Sequence, residues 1–397
     1  MDHAAKPAQK TPAIILLMTM TLLGVFPLDV ILPSFPALAE RFQTSSADIA
    51  LSVSLFAIGL SFSLLVVGPL SDSLGRKKLL LAGMSVAIAG AAGCIMASEY
   101  PWFLFFRVIQ AIGCGCFVLS QALVQDLFVG KEQERLRIAL VTASGIFISF
   151  SPLLGTWLQE QLGWQGSFEV FIAIGLLVIL KACLLLENTS GTASSRHRNI
   201  LAAYWLVCSE PRFVGYWLIS ALAFACHFSF IVISPIIFME QLQLSPYQYA
   251  LALLMYGAAY VLGGFAAGVM NRHMQASTQI ITGLLLIALS GLLMLFLLQS
   301  SMSAITVLLP MIVCTAGTTI TRPVATSRAM GLFPQNAGTS ASAGNMIIFT
   351  CGGLISAFIN LSASNLIMAL GLCFLVLSAS ALTLNSLVNR HNQRACA

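Results

Sequence analysis

The sequence is poor in charged residues. Only 8% of its 397 residues are Asp, Glu, Lys or Arg, whereas 58% are hydrophobic. A water-soluble globular chain carries about 25% charged residues, which help to cover its surface. The shortage of charge therefore excludes an ordinary soluble enzyme, and the abundance of apolar residues excludes a disordered chain.

The sequence also lacks motifs that would hold a metal ion or hydrolyse ATP. Its 10 cysteines form no CxxC pair and no His/Cys metal spacing. No GxxxxGK[ST] phosphate loop is present, and of the five histidines only His227 falls within an apolar run. We expect no cofactor and no metal site, and we treat a membrane-embedded enzyme or a receptor as the weaker alternative. Because the basic residues are dispersed, we expect no nucleic-acid partner.

Long apolar runs dominate what is present. Each run is about 20 residues long, which is enough to cross a hydrocarbon core of ~30 Å as a helix. They predict an all-α membrane protein with twelve transmembrane helices. The runs cover residues 13–33, 49–70, 79–97, 102–126, 137–158, 164–186, 213–238, 247–270, 277–298, 304–327, 337–359 and 363–388.

The basic residues indicate how these helices are oriented. Most of the 19 Lys and Arg residues fall in connectors on one side of the predicted membrane. Since the basic side of a membrane protein is usually cytoplasmic, we predict that both termini are in the cytoplasm. The first apolar run has no small-residue cleavage pattern, so we expect it to remain as a span.

A polar connector divides the predicted helices into two sets of six. It contains the stretch SGTASSRHRN and no apolar run. Two parallel six-helix halves are one plan of secondary transporters, whose substrate sites lie between the halves. Without a nucleotide motif, an ion gradient would supply the energy. The predicted parts are a tail at 1–12, a bundle at 13–187, a cytoplasmic linker at 188–211, a bundle at 212–388 and a tail at 389–397.

Three motifs carry a family resemblance. The loop Gly68-Pro-Leu-Ser-Asp72-Ser-Leu-Gly75-Arg76-Lys77-Lys78 resembles the GxLxDrxGRrk signature of the major facilitator superfamily, although an ordinary basic inner loop is the alternative. In the fourth span, the segment RVIQAIGCG from residue 107 resembles the RxxQGxG segment of proton-coupled exporters in that superfamily. In the fifth span, SPLLGT from residue 151 resembles the antiporter motif ending in GPxxGG.

The end of the first span indicates which branch of the superfamily the chain resembles. Its end, Leu28-Asp29-Val-Ile-Leu-Pro33-Ser-Phe-Pro36, is similar to the DxYLPxxP of the bicyclomycin-resistance type of multidrug exporter. The chain departs from that type at Gln125, where an Arg is usual, and at Gln165, where another Arg is usual. These departures leave the substrate range open.

The resemblance implies a multi-pass protein of the bacterial inner membrane that exports drugs or other small amphipathic compounds in exchange for protons. Two bundles would alternate access around a central site, with small-molecule substrate, protons and lipid as partners and the monomer as the working form. Export of an endogenous metabolite such as a siderophore-like carboxylate is the first alternative, and proton-coupled uptake is the second. The implied residues of the conformational switch are Gly68, Asp72, Gly75, Arg76, Asp126, Gly145, Pro152 and Gly155.

Two charges lie inside the predicted spans at similar depth. Asp29 and Arg107 are each roughly 6 to 8 Å from the outer ends of spans one and four, so a pair or a shared cavity is geometrically allowed. A charge at the bilayer centre costs at least ~2.5 kcal/mol, which makes such residues candidates for function. We predict that Asp29 binds proton and substrate in turn while Arg107 adjusts its proton affinity. A static ion pair is the alternative.

Three further residues are candidates for substrate binding. Glu169 is either a second cavity carboxylate or a residue that reaches the outer headgroups. His227 is either a proton relay or a hydrogen-bonded packing residue. Arg322 either meets an anionic substrate group or extends to the cytoplasm. Because no acidic residue follows Glu240, the second half favours anions, whereas Asp29 and Glu169 favour cationic drugs.

The remaining expectations concern structure. We expect Asp126 to pair with Arg76 or Lys77 of the loop and so to act in conformational change. Glycines in the spans allow helices to approach each other closely. The glycines expected to do so are Gly113, Gly115, Gly145, Gly155, Gly263, Gly264, Gly268, Gly352 and Gly353.

Overall fold

The chain is almost entirely helical. The structure, a computed structural model, describes residues 7–186, 200–297, 302–362 and 365–396, and these residues contain no β-strand. Eleven helices in these ranges are long and apolar enough to cross a membrane. The predicted all-α membrane class is therefore confirmed, and the chain is a multi-pass membrane protein.

The helices follow the predicted runs closely. In the first half of the sequence they are α1 (Pro7–Asp29), α2 (Phe35–Arg41), α3 (Ser46–Leu74), α4 (Arg76–Met96), α5 (Tyr100–Cys114), α6 (Leu119–Leu127), α7 (Gly130–Leu162) and α8 (Gly166–Leu185). In the second half they are α9 (Ile200–Cys208), α10 (Pro211–Pro235), α11 (Pro246–His273), α12 (Ala276–Leu297), α13 (Ala304–Gly331), α14 (Ala337–Asn360) and α15 (Leu366–Cys396).

The fifth predicted span differs from the others. Residues 137–158 lie within α7, whose 33 residues extend about 50 Å at 1.5 Å per residue. The helix is long enough to cross, but its first turns carry Lys131, Glu132 and Arg135, and it is not among the eleven apolar helices. The total of twelve spans therefore stays a prediction.

The helices group into two compact units. The first comprises Met1–Thr44 and Gly59–Arg198, and the second comprises Ser45–Ile58 and Asn199–Ala397. The boundary runs through α3, so the beginning of this helix packs with the second unit. The prediction placed all of α3 in the first bundle, and the bounds of the predicted bundles, linker and tails stay predictions.

The predicted linker is partly helical. Residues 187–199 lie outside the described part of the chain, but Ile200–Cys208 form α9, which packs against α10 and α14. Tyr204 of α9 hydrogen-bonds Ser342 of α14.

At the start of α10, the Glu210 carboxylate accepts a hydrogen bond from Arg212 Nε at 2.6 Å. This bond lowers the pKa of Glu210.

The loop between α3 and α4 has the predicted contacts. Gly75 ends the turn with φ 91°, a backbone conformation that glycine adopts without a steric penalty. Arg76 Nε donates to Asp126 Oδ2 at 3.2 Å, so the predicted ion pair is confirmed. Lys77 Nζ donates to the carbonyl oxygens at the end of α8, which are unsatisfied within that helix.

The other two residues of this loop that are predicted to belong to the conformational switch are Gly68 and Asp72. The Gly68 carbonyl accepts a hydrogen bond from Ser71 Oγ at 2.7 Å. The side chain of Asp72 lies outside the described part of the chain. The switching role of this loop stays a prediction.

Close helix packing depends on some of the expected glycines. A Cβ at Gly113 would overlap the backbone of Ala87, and a Cβ at Gly115 would overlap Ser63. Gly155, Gly263, Gly352 and Gly353 are similarly confined. The expectation is wrong for three positions, because a Cβ there would meet no described atom within 4 Å. These positions are Gly145, Gly264 and Gly268.

Gly113→Val should destabilise the protein by roughly 1–3 kcal/mol, because the added carbons must displace the α4 backbone. Gly268→Val is the matched control, since its helix face is open. Thermal denaturation of the purified proteins in detergent measures the difference. Equal losses at both sites would contradict the packing argument.

Candidate functional site

A break in the helical backbone places Asp29. The first helix ends at this residue, and the chain turns through Val30 and Ile31 before a short 3-10 turn at Leu32–Ser34. Pro33 has no N–H to continue the helical hydrogen bonds, and its ring disfavours a helical residue before it. Because Pro33 lies four residues after Asp29, it cannot donate to the Asp29 carbonyl, and the helix ends at this residue. We call residues 29–34 the span-1 break.

Arg107 satisfies a backbone group that the break leaves free. The carbonyl of Pro27 receives no helical N–H, and Arg107 Nη2 donates to it at 3.0 Å. Arg107 Nη1 donates to Gln110 Oε1 at 2.7 Å, and the guanidinium lies 5.9 Å from the ring centroid of Phe168. The fully buried Arg107 thus joins α1, α5 and α8.

The predicted pair between Asp29 and Arg107 is not formed. The Asp29 side chain is half-buried and makes no hydrogen bond or ion pair with any described residue. Neither the functional pair nor the static one therefore exists in this structure. The proposed influence of Arg107 on Asp29 would have to act without direct contact.

A small cavity lies beside Arg107. Its volume is about 10 Å³, which is about the space of one water molecule. Its polar side chains are Arg107, Gln110 and Ser167, and its apolar lining includes the rings of Phe26, Phe168 and Phe171. Asp29 is not among the lining residues, so the structure does not show the shared cavity that the sequence allowed.

The fifth-span motif packs directly on the span-1 break. A Cβ at Gly155 would overlap the Val30 carbonyl and press against Pro33. Pro152 cannot donate to the Ile148 carbonyl, and Ser151 Oγ donates to it instead, at 2.9 Å. Thr156 Oγ1 donates to the Pro152 carbonyl at 2.9 Å.

Ser151 and Thr156 stand at the two positions where the resembled GPxxGG motif has glycine. The Ser151 hydroxyl satisfies the Ile148 carbonyl that the proline leaves free, and the Thr156 hydroxyl adds a bond to the Pro152 carbonyl. Such groups are needed where a helix inside the membrane loses a hydrogen bond. The roles of Pro152 and Gly155 in conformational change stay predictions. A Cβ at Gly145 would meet no described atom within 4 Å, so this glycine makes no comparable contact.

Glu169 does not face the cavity. It is exposed in the first turn of α8, where a negative charge is favourable near the helix N-terminus. Its neighbours Ser167 and Phe168 line the cavity, and Glu169 does not. The geometry therefore favours the headgroup alternative, and the expectation of a second cavity carboxylate has no support in this structure.

In the second unit, His227 lies within an aromatic cluster. Its Nδ1 hydrogen-bonds the Tyr256 hydroxyl. The two rings are stacked, with centroids 5.4 Å apart and planes at 16°, and the Tyr260 ring is 5.5 Å away. The hydrogen bond and the stacking both fit the packing alternative, and they leave one ring nitrogen, Nε2, for other contacts.

Arg322 points towards α10. Its guanidinium carbon lies 4.6 Å from the ring centroid of Phe224. Its Nε atom is buried and has no hydrogen-bond partner among the described residues. This position favours a side chain directed into the second unit over one that extends to the cytoplasm. We refer to Arg322, Phe224, His227, Tyr256 and Tyr260 as the Arg322 cluster.

Sequence reasoning missed a set of contacts at the beginning of α3. Ser46 Oγ donates to Glu240 Oε1, and Asn360 Nδ2 donates to the Ala47 carbonyl. Ser54 Oγ and Ser356 Oγ lie 2.6 Å apart. These three hydrogen bonds, which we call the α3 latch, lie within the second unit. The serines and the asparagine that form these hydrogen bonds belong to no recognisable motif, so the sequence did not indicate the contacts.

Comparison with known proteins places the chain among transporters. Residues 17–357 match the Major Facilitator Superfamily. "Multidrug resistance protein MdtL" of Citrobacter koseri is 26% identical over 317 residues, which are 79% of this chain and 80% of that protein. The protein of the same name from Klebsiella pneumoniae (strain 342) is 24% identical, over 89% and 91%. The "Uncharacterized MFS-type transporter YdgK" of Bacillus subtilis is 23% identical, over 91% and 92%.

Arg107 and Gln110 should be energetically coupled. Arg107→Ala should cost roughly 1–3 kcal/mol, because it leaves the buried Pro27 carbonyl and Gln110 Oε1 without their donor. In combination with Gln110→Ala, the loss should be less than additive by about 0.5 kcal/mol or more. Thermal denaturation of the single and double variants measures the coupling, with exposed Arg137→Ala as the control. Strictly additive losses would show that the two side chains act separately.

Proposed function

Because the chain belongs to the major facilitator superfamily, we propose that it exports small amphipathic compounds across the bacterial inner membrane in exchange for protons. The observation that carries this proposal is Asp29. Its carboxylate lies at the span-1 break without a hydrogen bond or ion pair to any described residue. An ionisable residue inside a membrane is costly and is kept mainly where it functions.

A carboxylate in this position would couple proton binding to substrate binding, because the two would exclude each other. It can hold a proton, or it can meet the cationic group of a substrate, but one carboxylate does not serve both at once. Broken helices at such points are how transporters expose polar groups to a site within the bilayer. Alternate occupancy of Asp29 would thus exchange a proton for a substrate, with Arg107 fixing the geometry of the break.

Export is supported by two observations. The Ser-Pro-Leu-Leu-Gly motif of α7, which resembles an antiporter motif, packs on the span-1 break. Two of the relatives are named multidrug resistance proteins. By this proposal the protein would lower the cellular concentration of toxic compounds, including antibiotics.

Alternating access requires a gate that opens and closes. We assign this role to the α3 latch, which holds the beginning of α3 in the second unit while the rest of the helix belongs to the first. The charge distribution predicts that this end of α3 is outside the cell. Three hydrogen bonds, only one of them to a charged group, are weak enough to be exchanged for water in each transport cycle.

Export of an endogenous anionic metabolite is the second candidate. The buried Nε of Arg322 favours it, since a cation inside the second unit suits a negatively charged substrate. Both candidates use the same fold and the same proton site, but an anion would bind at Arg322 and would exchange with the proton through the conformational change rather than by competing for Asp29. They differ in the charge of the compound that moves.

In inverted vesicles with an imposed pH gradient, ethidium or an aromatic carboxylate should cause proton release by the wild-type protein. Asp29→Asn should abolish this release, because the amide cannot carry the proton. Fluorescence of a pH-sensitive dye measures the release.

Glu169→Gln is the matched control and should retain release, since its carboxylate is exposed outside the cavity. Asp29→Asn should remain inserted and folded, as judged by its amount in the membrane and its elution in detergent. Unchanged release in Asp29→Asn would exclude Asp29 as the coupling residue.

The gate proposal predicts a cross-link that blocks transport. With cysteines in place of Ser54 and Ser356, whose hydroxyl oxygens are 2.6 Å apart, mild oxidation should join α3 to α14. Ethidium export should then fall to the level of empty vesicles and recover on reduction, because the latch can no longer open.

Ser54→Cys and Ser356→Cys alone serve as controls for reactions of the native cysteines. They should keep transport after oxidation. Full transport by the cross-linked protein would show that the latch does not need to open.

A further inference from the structure

The charge of Arg322 is not balanced within its unit. The acidic residues of the second unit are Asp48, Glu210 and Glu240. Asp48 hydrogen-bonds Ser45, Glu210 pairs with Arg212, and Glu240 accepts from Ser46. None of the three forms an ion pair with Arg322. The guanidinium therefore has no anionic partner in the unit that contains it.

The ring of Phe224 interacts favourably with the positive charge of the Arg322 guanidinium but gives its N–H donors no acceptor. A cation above an aromatic face is attracted to the ring electrons, but the ring offers no acceptor for the N–H groups in the guanidinium plane. The buried Nε is one such donor without a partner among the described residues. Two adjacent N–H groups in a fixed fork match the two oxygens of a carboxylate.

Aromatic surface adjoins the guanidinium. The Phe224 ring stacks with Phe228 at 5.3 Å and lies 6.4 Å from the His227 ring, which in turn packs on Tyr256 and Tyr260. Buried aromatic rings favour offset or edge-on contact with another ring. A ligand that pairs with the guanidinium and also packs on the neighbouring rings carries an acid group and an aromatic ring.

We propose that the Arg322 cluster binds an aromatic carboxylate. The guanidinium holds the acid group through paired N–H bonds, and the rings of the cluster contact the aromatic part. This inference rests on the proposed function in one respect, namely that the bound compound is a transported substrate. It deepens that function by naming the substrate class for the second unit.

The depth of Arg322 separates this ligand from a lipid headgroup. Arg322 lies nine residues before the end of α13 at Gly331, or about 14 Å along the helix. Its side chain turns to α10 at this depth. A phosphate level with the end of α13 would lie about 14 Å along the helix from Arg322, whereas a compound that enters between the helices can reach the guanidinium.

Binding of salicylate and salicylamide to the purified full-length protein tests the proposal. The two compounds share a ring and differ in the acid group, so the wild type should bind salicylate more tightly. Arg322→Gln should weaken salicylate binding about tenfold or more and leave salicylamide binding nearly unchanged. Arg322→Lys should give an intermediate affinity, because a lysine retains charge without the fork. Calorimetric titration measures each affinity.

Arg272→Gln is the matched control, because it removes an exposed arginine from the same unit. Phe224→Leu should weaken both ligands, since the ring supports the guanidinium and contacts the ligand. Should Arg322→Gln fail to fold, Arg322→Lys carries the test of the guanidinium, and Phe224→Leu tests the contact with the aromatic part. Thermal denaturation of each variant identifies such a failure.

The inference is overturned if wild type binds both compounds equally, or if Arg322→Gln and Arg322→Lys bind salicylate like the wild type. Titration uses no pH gradient, so its result is independent of proton coupling. Arg322-dependent binding without proton release in vesicles would support the inference and count against the proposed function. Asp29-dependent release without selective salicylate binding would do the reverse.

Discussion

The need to satisfy polar groups inside a hydrocarbon medium governs this structure. Where the prolines interrupt the first span, the Pro27 carbonyl loses its helical partner, and the Arg107 guanidinium replaces it. The same side chain holds Gln110 and lies on Phe168, so one buried cation joins three helices at the break. The position of Asp29 follows from this arrangement. Arg107 donates to the Pro27 carbonyl and to Gln110 and does not pair with the Asp29 carboxylate, which has no partner among the described residues.

The two units carry complementary charge imbalances. The first contains a carboxylate, Asp29, that pairs with no described cation, and the second contains a cation, Arg322, that pairs with no carboxylate of its unit. Arg76 and Asp126, near the end of α3, by contrast form an ion pair. Since a charge in the membrane is costly, Asp29 and Arg322 are positions where, by the proposed function, a proton and a transported compound would supply the missing partner.

Small residues and hydroxyl groups set how the helices meet. Gly113 and Gly155 let neighbouring backbones approach, and Ser151 bonds the Ile148 carbonyl that Pro152 leaves free. The α3 latch uses the same chemistry between helix ends, with serine and asparagine side chains as donors. Such contacts hold a helix in register at little cost, and they can be exchanged for water when helices separate.

The sequence by itself determined which segments are helices, because an apolar run of about 20 residues has no other stable form in a bilayer. It also determined the Gly75 turn and limited the partner of Asp126 to Arg76 or Lys77, because these residues lie close to helix ends where the choices of partner are few; the structure selects Arg76. Only the tertiary structure decided the partners of Arg107, the exposure of Glu169, the open face of Gly145 and the direction of Arg322. A span that is apolar all round carries no signal of which face meets which neighbour, so rotation about its axis is set by packing alone.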